Sequence, residues 1–262
     1  MNLENLKKSV IDLAVEVGAF IVQELQSFDR SKTEFKGINN LVSYVDKQAE
    51  HRIVEKLKEL LPESGFIAEE GTGNPVENGY NWIIDPLDGT TNFIHAIPIF
   101  SISIALMKKD EILLGVVYEP NLKECFHAIK GQGAFLNDKK IQVSSATTLS
   151  ESLIATGFPY QHQDKMKNYL NLLYAFIERT HGFRRMGSAA IDLAYVAAGR
   201  LEAFYEYNLN AWDVAAGALL VQEAGGTVSD FAGENNFVFG RQILATGKIH
   251  EQMRNIIKEH FL

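Results

Sequence analysis

The stretch that decides the fold lies at residues 82–93 and reads Trp82-Ile83-Ile84-Asp85-Pro86-Leu87-Asp88-Gly89-Thr90-Thr91-Asn92-Phe93. Its apolar start predicts a β-strand that ends at Asp85, where Pro86 fixes φ and opens a tight turn. A second carboxylate, Asp88, stands directly before Gly89. On its own, an Asp-x-x-Asp-Gly string is typical of a polar turn. The glycine and the threonines also predict a short helix capped by a hydroxyl residue, and free N–H groups beside two carboxylates suit a cation and a phosphate held together.

The composition is that of an ordinary globular protein. The 262 residues, 46% of them apolar and 22% charged, suffice for one large domain or two tightly joined lobes. The net charge of -8 argues against an extended nucleic-acid surface, so a nucleic-acid partner is not expected. The single cysteine, Cys125, cannot form an internal disulfide; we expect it buried on a strand, in a cytoplasmic protein. The charged N-terminal segment predicts neither a signal peptide nor a membrane span.

Hydrophobic periodicity predicts two helices at the start of the chain. The first covers roughly residues 3–27, and the second begins near Ser43 and is closed by Pro62. Ser43 and Asp46 have the spacing of a capping box. Two interpretations of Asp46 therefore stay open, a carboxylate that only caps its helix and an acid with a function.

Strands dominate the next part of the chain. A short strand over residues 66–68 ends at Glu69-Glu70, and adjacent acids in such a place are commonly a solvated turn. They precede a second strand that ends in two acids, and neighbouring strand ends can bring all of them to one edge of a sheet. Further strands are predicted at 100–106, 112–118, 123–128 and 134–136. They form a meander in an antiparallel or mixed sheet, with a hairpin turn at residues 131–133.

The second half of the chain alternates strands and helices. Strands are predicted at 153–156, 203–205 and 242–245, and helices at 163–179, from 188 to the stop at 199, at 214–223 and through 253–257. Asn210 and Asp213 have capping form, and a helix N-terminus keeps a carboxylate ionised, so capping and cation binding are compatible for Asp213. The predicted organisation is an α+β lobe over residues 1–145 and an α/β lobe over residues 146–262 that carries Asp213.

Carboxylates stand at the ends of predicted elements: Glu69, Glu70, Asp85, Asp88 and Asp213. Gathered without a counter-charge they would oppose each other's ionisation, and a hard cation such as Mg²⁺ relieves that repulsion. Two such ions about 3.5 to 4 Å apart can neutralise a phosphate monoester, activate a water and stabilise a leaving alkoxide. The sequence has no zinc-binding pattern, no Walker A motif and no G-x-S-x-G elbow.

The twelve-residue stretch resembles the signature of the inositol monophosphatase family, Mg-dependent and lithium-sensitive phosphatases. The resemblance covers nearly the whole chain, through residues 43–47, 66–70, 82–93, 131–135, 184–190 and 211–217. The segments at 157–160 and 184–188 are similar to the bacterial branch. The resemblance implies a layered αβαβα sandwich, the fold of sugar phosphatases such as fructose-1,6-bisphosphatase.

The resemblance also implies a role for each matching residue. The implied ligands of roughly two or three Mg²⁺ ions are Glu69, Asp85, the Leu87 carbonyl, Asp88 and Asp213. The implied catalytic residues are Asp46 and Thr90, which would orient the attacking water with help from Glu69. The implied substrate contacts are the Gly89 and Thr90 N–H groups for phosphate, and Asp88, Ala189 and Glu206 for hydroxyl groups; Glu70 would be a supporting acid.

Several functions follow as expectations. The leading one is hydrolysis of inositol 1-phosphate by a lithium-sensitive homodimer. The 2′-phosphate of NADP, fructose 1,6-bisphosphate and other polyol phosphates stay open, and the 3′-phosphate of adenosine bisphosphates ranks lower. An alternative of another class is a non-catalytic partner in a transcription complex, since bacterial relatives can act in that way. Arg184 and Arg185 could belong to such a surface, or be a solvated or salt-bridged pair.

Overall fold

The computed structural model describes residues 2–29, 31, 33–37, 40–159 and 163–262, and of residues 34–37, 40–42 and 163 the backbone alone. The helices are α1 (Leu3–Leu25), α2 (Tyr44–Leu60), α3 (Thr90–Ile94), α4 (Gln163–Ile177), α5 (Ala189–Ala197), α6 (Ala211–Glu223) and α7 (His250–His260). The first strands are β1 (Glu34–Gly37), β2 (Asn40–Val42), β3 (Gly65–Ala68), β4 (Tyr80–Asp88), β5 (Ser101–Lys108), β6 (Glu111–Glu119) and β7 (Glu124–Ile129). The remaining strands are β8 (Ala134–Leu136), β9 (Lys139–Lys140), β10 (Leu153–Thr156), β11 (Gly182–Arg184), β12 (Ala203–Tyr207), β13 (Thr227–Ser229) and β14 (Gln242–Thr246).

Two mixed sheets organise the molecule. The larger has the order β3-β4-β5-β6-β7-β8-β9, with β3 parallel to β4 and the other pairs antiparallel. The smaller has the order β11-β10-β12-β14-β13, with β10 parallel to both of its neighbours and β14 antiparallel to β12 and β13. The predicted meander in a mixed sheet is confirmed, and so is the strand position of Cys125, whose burial raises the pKa of its thiol to about 12.

The layers follow from the alternation of side chains along each strand. On β4, Trp82 and Ile84 pack under α1 and α2, whereas Ile83 faces the opposite side. That opposite side is covered by α5 and α6, which also pack on the smaller sheet. The far face of the smaller sheet is covered by α4 and α7, through residues such as Phe176 and Met253. Each fully buried large apolar side chain contributes about 1.5–3 kcal/mol. The predicted αβαβα sandwich is confirmed.

Helix α2 begins at the predicted capping box. The Ser43 N–H and hydroxyl both donate to Asp46 Oδ2, at 2.8 and 2.6 Å, and the Val45 N–H donates to Ser43 Oγ at 3.1 Å. The helix ends at Leu60, two residues before Pro62. Helix α1 ends at Leu25, slightly earlier than predicted.

The predicted end of β4 at Asp85 is wrong. The strand continues to Asp88, which pairs with Ser101 on β5 after a register shift between Asp85 and Asp88. A bulge there accommodates Pro86, which cannot donate to the ladder. The predicted hydroxyl cap on the following helix is also wrong. Gly89 is the N-cap, in the left-handed region with φ 102°, and makes no side-chain cap bond.

The sequence did not predict several short strands. These are β1, β2, β9, β11 and β13. Helix α6 begins at Ala211, directly after Asn210, as the capping form of Asn210 and Asp213 predicts. Residue 160 of the segment at 157–160 lies outside the described residues. The lobe boundary at residue 145 falls between β9 and β10 and stays a proposal. Within the described part of the chain, no helix is long and apolar enough to cross a bilayer.

Candidate active site

Three of the predicted acids meet where the end of β4 lies beside the start of α6. Asp85, Asp88 and Asp213 each offer a carboxylate oxygen, and these oxygens lie within 4.8 Å of one another. The first two stand at the bulged end of β4, and Asp213 lies in the first turn of α6. The Ser103 hydroxyl of β5 donates to the Trp212 carbonyl at 3.1 Å and so ties the start of α6 to the larger sheet.

Asp85 is the most deeply buried acid of the three, with 2% of its surface exposed. Its Oδ1 accepts the Leu87 N–H at 2.9 Å. Burial raises the pKa of Asp85 well above its ordinary value, and the charges of Glu69, Asp88 and Asp213 add to the rise. An ionised Asp85 therefore needs a nearby positive charge.

Asp88 is anchored to the start of α5. Its Oδ2 accepts the Ser188 hydroxyl at 2.6 Å and the Ala190 N–H at 2.7 Å. Burial raises the pKa of Asp88 to about 6, while these two bonds and the charge of Arg185 act in the opposite direction. Ser188 is itself held by the Ser101 hydroxyl at 3.1 Å. The sequence did not assign this anchor to Ser188, although a serine after a glycine and before an apolar helix is an N-cap signal.

Asp213 both caps its helix and joins the cluster. Its Oδ2 accepts the Asn210 N–H at 2.6 Å. Burial raises the pKa of Asp213 to about 7 and the charge of Asp88 adds to it, whereas the Asn210 bonds and Arg241 lower it. The two roles expected for Asp213 are therefore compatible in the structure.

Glu69 and Glu70 take separate positions after β3. The Glu69 N–H donates to the Ile84 carbonyl at 3.2 Å. Of the neighbouring charges that raise the pKa of Asp85, the Glu69 carboxylate has the largest effect. The N–H groups of Glu70 and Thr72 donate to the buried carboxylate of Glu50, at 2.7 and 2.8 Å. Glu50 was missed, although an acid on the apolar stripe of α2, beside positions 46, 49, 53 and 57, is a signal that could have revealed it.

Asp46 and Thr90 come together as the resemblance implied. Thr90 Oγ1 lies 2.9 Å from Asp46 Oδ1 and 3.1 Å from the Leu87 carbonyl oxygen. Asp46 is 1% exposed, and burial raises the pKa of its carboxyl. Because this bond adds to the two from Ser43, Asp46 does more than cap α2.

A polar cavity of about 130 Å³ opens beside the carboxylate cluster. Glu206, at the end of β12, lines it, and burial raises the pKa of Glu206 to about 8 against the pull of Arg185. A Cβ atom on Gly157 would lie 2.1 Å from both Glu206 carboxylate oxygens, so only glycine leaves them room there. Ala189, an expected substrate contact, lines the cavity as well, and so does Asp192, which the sequence did not single out.

The site residues fit a hard divalent cation. The donors are carboxylate oxygens, and the mutual repulsion that raises their pKa values falls when a positive charge lies between them. Oxygen donors of this kind are those that Mg²⁺ prefers. Fold and site together define a layered α/β protein with an acidic cluster suited to a cation between β4 and α6, and a polar cavity beside that cluster.

The chain belongs to the inositol monophosphatase family, whose sequence model matches residues 2–261. It is 44% identical over 237 residues to the Nus factor SuhB of Pseudomonas aeruginosa, covering 88% of each chain. It is 38% identical over 241 residues to the inositol-1-monophosphatase of Mesorhizobium japonicum, covering 92% of this chain and 91% of the relative. The crystal structure of the extragenic suppressor protein suhB from Bartonella henselae superposes with a TM-score of 0.92 at 38% identity, over 97% of this chain and 99% of the other.

Membership gives the general chemistry. The family consists of Mg-dependent phosphatases that act on small phosphate monoesters. We expected no nucleic-acid partner, and the comparisons do not support that expectation, because one relative is named a Nus factor.

Proposed function

We propose that this protein is a Mg²⁺-dependent phosphomonoesterase that hydrolyses inositol 1-phosphate to inositol and phosphate. The observation that carries the proposal is the cluster of the Asp85, Asp88 and Asp213 carboxylates, of which Asp88 and Asp213 also line a small polar cavity. The cation would be held by those three acids together with Glu69 and the Leu87 carbonyl. When bound, it supplies charge neutralisation, a more acidic water and stabilisation of the leaving oxygen.

Thr90 and Asp46 are the residues that handle the proton of the attacking water. The Thr90 hydroxyl is directed to Asp46 Oδ1, which leaves a lone pair of Thr90 Oγ1 for a water. As the water attacks, its proton moves to Thr90 Oγ1 while the hydroxyl proton moves to Asp46. Burial, which raises the pKa of Asp46, makes this carboxylate a better proton acceptor.

The cavity favours a compact polyol as the rest of the substrate. Its volume of about 130 Å³ is below the roughly 300–1,000 Å³ typical of sites for drug-sized ligands. Glu206 and Asp88 present acceptors for hydroxyl groups, and the Gly89 and Thr90 N–H groups would bind phosphate oxygens. This size and lining support inositol 1-phosphate over NADP, and fructose 1,6-bisphosphate stays the second substrate to compare.

Phosphate release from a panel of substrates tests the proposal. The panel is inositol 1-phosphate, NADP, fructose 1,6-bisphosphate and adenosine 3′,5′-bisphosphate, each with Mg²⁺ or EDTA. We expect Mg²⁺-dependent release that Asp88→Asn abolishes and that Asp12→Asn, an exposed acid on α1, leaves unchanged. Equal release by wild type and Asp88→Asn would refute the proposed site. We also expect inhibition by lithium in the same assay and a homodimer by light scattering.

A second candidate function is that of a partner in a transcription complex. It is favoured by the name of the Pseudomonas aeruginosa relative, a Nus factor, and by the exposed Arg184 side chain. Arg184 is the last residue of β11, the edge strand of the smaller sheet, and its guanidinium donates to the Phe183 carbonyl at 2.8 Å. Co-purification with RNA polymerase tests this function, with Arg184→Gln as the variant and Asp88→Asn as the control. Binding that survives Asp88→Asn and is lost in Arg184→Gln would separate it from catalysis.

A further inference from the structure

Asp192 is a buried acid on α5 that lines the cavity beside the carboxylate cluster. Only 2% of its surface is exposed, and its Oδ1 has no hydrogen-bond partner among the described residues. A buried oxygen without a donor costs about 1–3 kcal/mol, and native proteins keep few of them. Because Asp192 lines the cavity, a molecule bound there is the candidate donor for Oδ1.

The charged groups around Asp192 do not supply that donor. Burial raises the pKa of Asp192 well above its ordinary value, the charges of Glu206 and Asp88 add to the rise, and Arg185 opposes it. Arg185 also lines the cavity, but it acts on Asp192 by charge alone, since Oδ1 accepts no hydrogen bond from any described residue. The open route to Asp192 is thus the cavity itself.

A hydroxyl group matches this environment better than an anionic group does. It donates to a carboxylate and also accepts from a protonated carboxyl, so it serves Asp192 in either state. The oxygens of a second phosphate carry no such hydrogen, and they would face Asp192 and Glu206 in a small space. The part of the cavity that Asp192 and Glu206 line is therefore suited to a neutral polyhydroxyl moiety.

We propose that Asp192 is a specificity-determining residue, whose Oδ1 accepts a hydrogen bond from a hydroxyl group of a polyol phosphate bound in the cavity. The inference rests on the proposed phosphatase function and extends it. It assigns Asp192, together with Glu206, the selection of neutral polyols over substrates that place a second phosphate there.

The test compares two substrates on two variants. Asp192→Leu removes the acceptor at similar volume, and Asp192→Asn retains an oxygen at the same place. We expect Asp192→Leu to lower kcat/KM for inositol 1-phosphate about 10- to 100-fold, because a buried hydrogen bond to the substrate is lost. Phenyl phosphate, which has no hydroxyl groups on its ring, should be hydrolysed within about threefold of wild type. Asp192→Asn should keep both activities.

A matched control removes another buried acid. Asp230, at 9% exposed, lies outside the cavity, and its Oδ1 accepts the Glu234 N–H at 2.8 Å. Asp230→Leu should change both substrates by the same factor. Calorimetric titration with inositol adds a readout independent of turnover, in which Asp192→Leu should bind inositol more weakly than wild type does. If Asp192→Leu fails to fold, Asp192→Ala replaces it.

Two results would overturn the inference. One is an equal loss of both activities in Asp192→Leu, since that is the effect of a purely structural acid. The other is wild-type kcat/KM and inositol binding in the same variant. Failure of the proposed function looks different, because wild type would then release no phosphate from phenyl phosphate or inositol 1-phosphate with Mg²⁺.

Discussion

Thr90 Oγ1 lies 2.9 Å from Asp46 Oδ1, although the two residues are 44 positions apart in the chain. The contact joins the start of α3 to the start of α2, and the Leu87 carbonyl oxygen, an implied ligand of the cation, is 3.1 Å from the same hydroxyl. One hydroxyl thus connects a buried acid to the site where the cation would bind.

Two replacements of Thr90 should distinguish the contribution of its hydroxyl to the rate from that of its side-chain packing. Thr90→Val keeps the shape but leaves Asp46 Oδ1 without a donor, and we expect kcat to fall about 100-fold or more. Thr90→Ser keeps the hydroxyl and should stay within about tenfold of wild type. Steady-state phosphate release at saturating Mg²⁺ measures both. Wild-type kcat in Thr90→Val would exclude Thr90 from proton transfer.

Gly157→Ala should move a carboxylate without unfolding the protein. The new Cβ would stand where the Glu206 carboxylate now lies, and the flexible end of Glu206 can yield. We expect a higher KM for inositol 1-phosphate, an unchanged rate on phenyl phosphate and a melting temperature near that of wild type. Gly182→Ala, whose Cβ would meet Leu153 at 3.3 Å, is the matched control. Equal KM values in the two variants would contradict the role given to Glu206.

Removal of Glu50 should loosen the segment that carries Glu69. Glu50→Ala leaves two partly buried N–H groups without their acceptor, and we expect a loss of about 1–3 kcal/mol in the free energy of unfolding together with weaker Mg²⁺ binding. Urea denaturation and calorimetric Mg²⁺ titration measure the two effects. Glu55→Ala, at an exposed position on the same helix, should change neither. An unaltered urea midpoint in Glu50→Ala would show that those N–H groups find other acceptors.

The stabilisation of the protein by the cation should increase with pH. Folding raises the carboxyl pKa of Asp88 to about 6 and of Asp213 to about 7, from an ordinary value of 3.8. Between the ordinary pKa and these raised pKa values, the native state binds more protons than the unfolded state. The metal-free protein therefore loses stability as pH rises from about 4 to about 7. Bound Mg²⁺ stabilises the ionised carboxylates, and its effect on the melting temperature should grow with pH.

Thermal melts in EDTA and in Mg²⁺ at about pH 5, 6.5 and 8 measure this difference. The Asp88→Asn, Asp213→Asn double variant is the control, and its difference between the two conditions should be small at every pH. A Mg²⁺ effect in wild type that is the same at all three pH values would contradict the assignment of these acids.

The sequence was sufficient for features that depend on neighbouring residues. Ser43 with Asp46 and Asn210 with Asp213 have a three-residue spacing that a helix start requires, and the structure has both helix starts there. The layers were also predictable, since the alternation along residues 82–84 assigns each side chain to a face.

Features that depend on distant residues were not predictable. Asp88 is anchored by Ser188 and Ala190, a hundred positions later, and no local pattern encodes that contact. Strands such as β9, at Lys139–Lys140, form by backbone pairing with a neighbouring strand, here β8. Their own residues have little preference for strands. In the sequence Asp192 is an ordinary polar position on a helix, and only the fold brings it to the cavity that Asp88 and Glu206 also line.

The carboxylates of the cluster come from segments that are far apart in sequence and that belong to different layers of the sandwich. A cation bound by both Asp88 and Asp213 therefore closes a long loop of chain, as a disulfide does, but reversibly and at a strength set by the concentration of the ion. The ion would fasten the larger sheet to α6 as well as take part in chemistry. A cell that depletes its free Mg²⁺ would then lose activity and loosen this junction together.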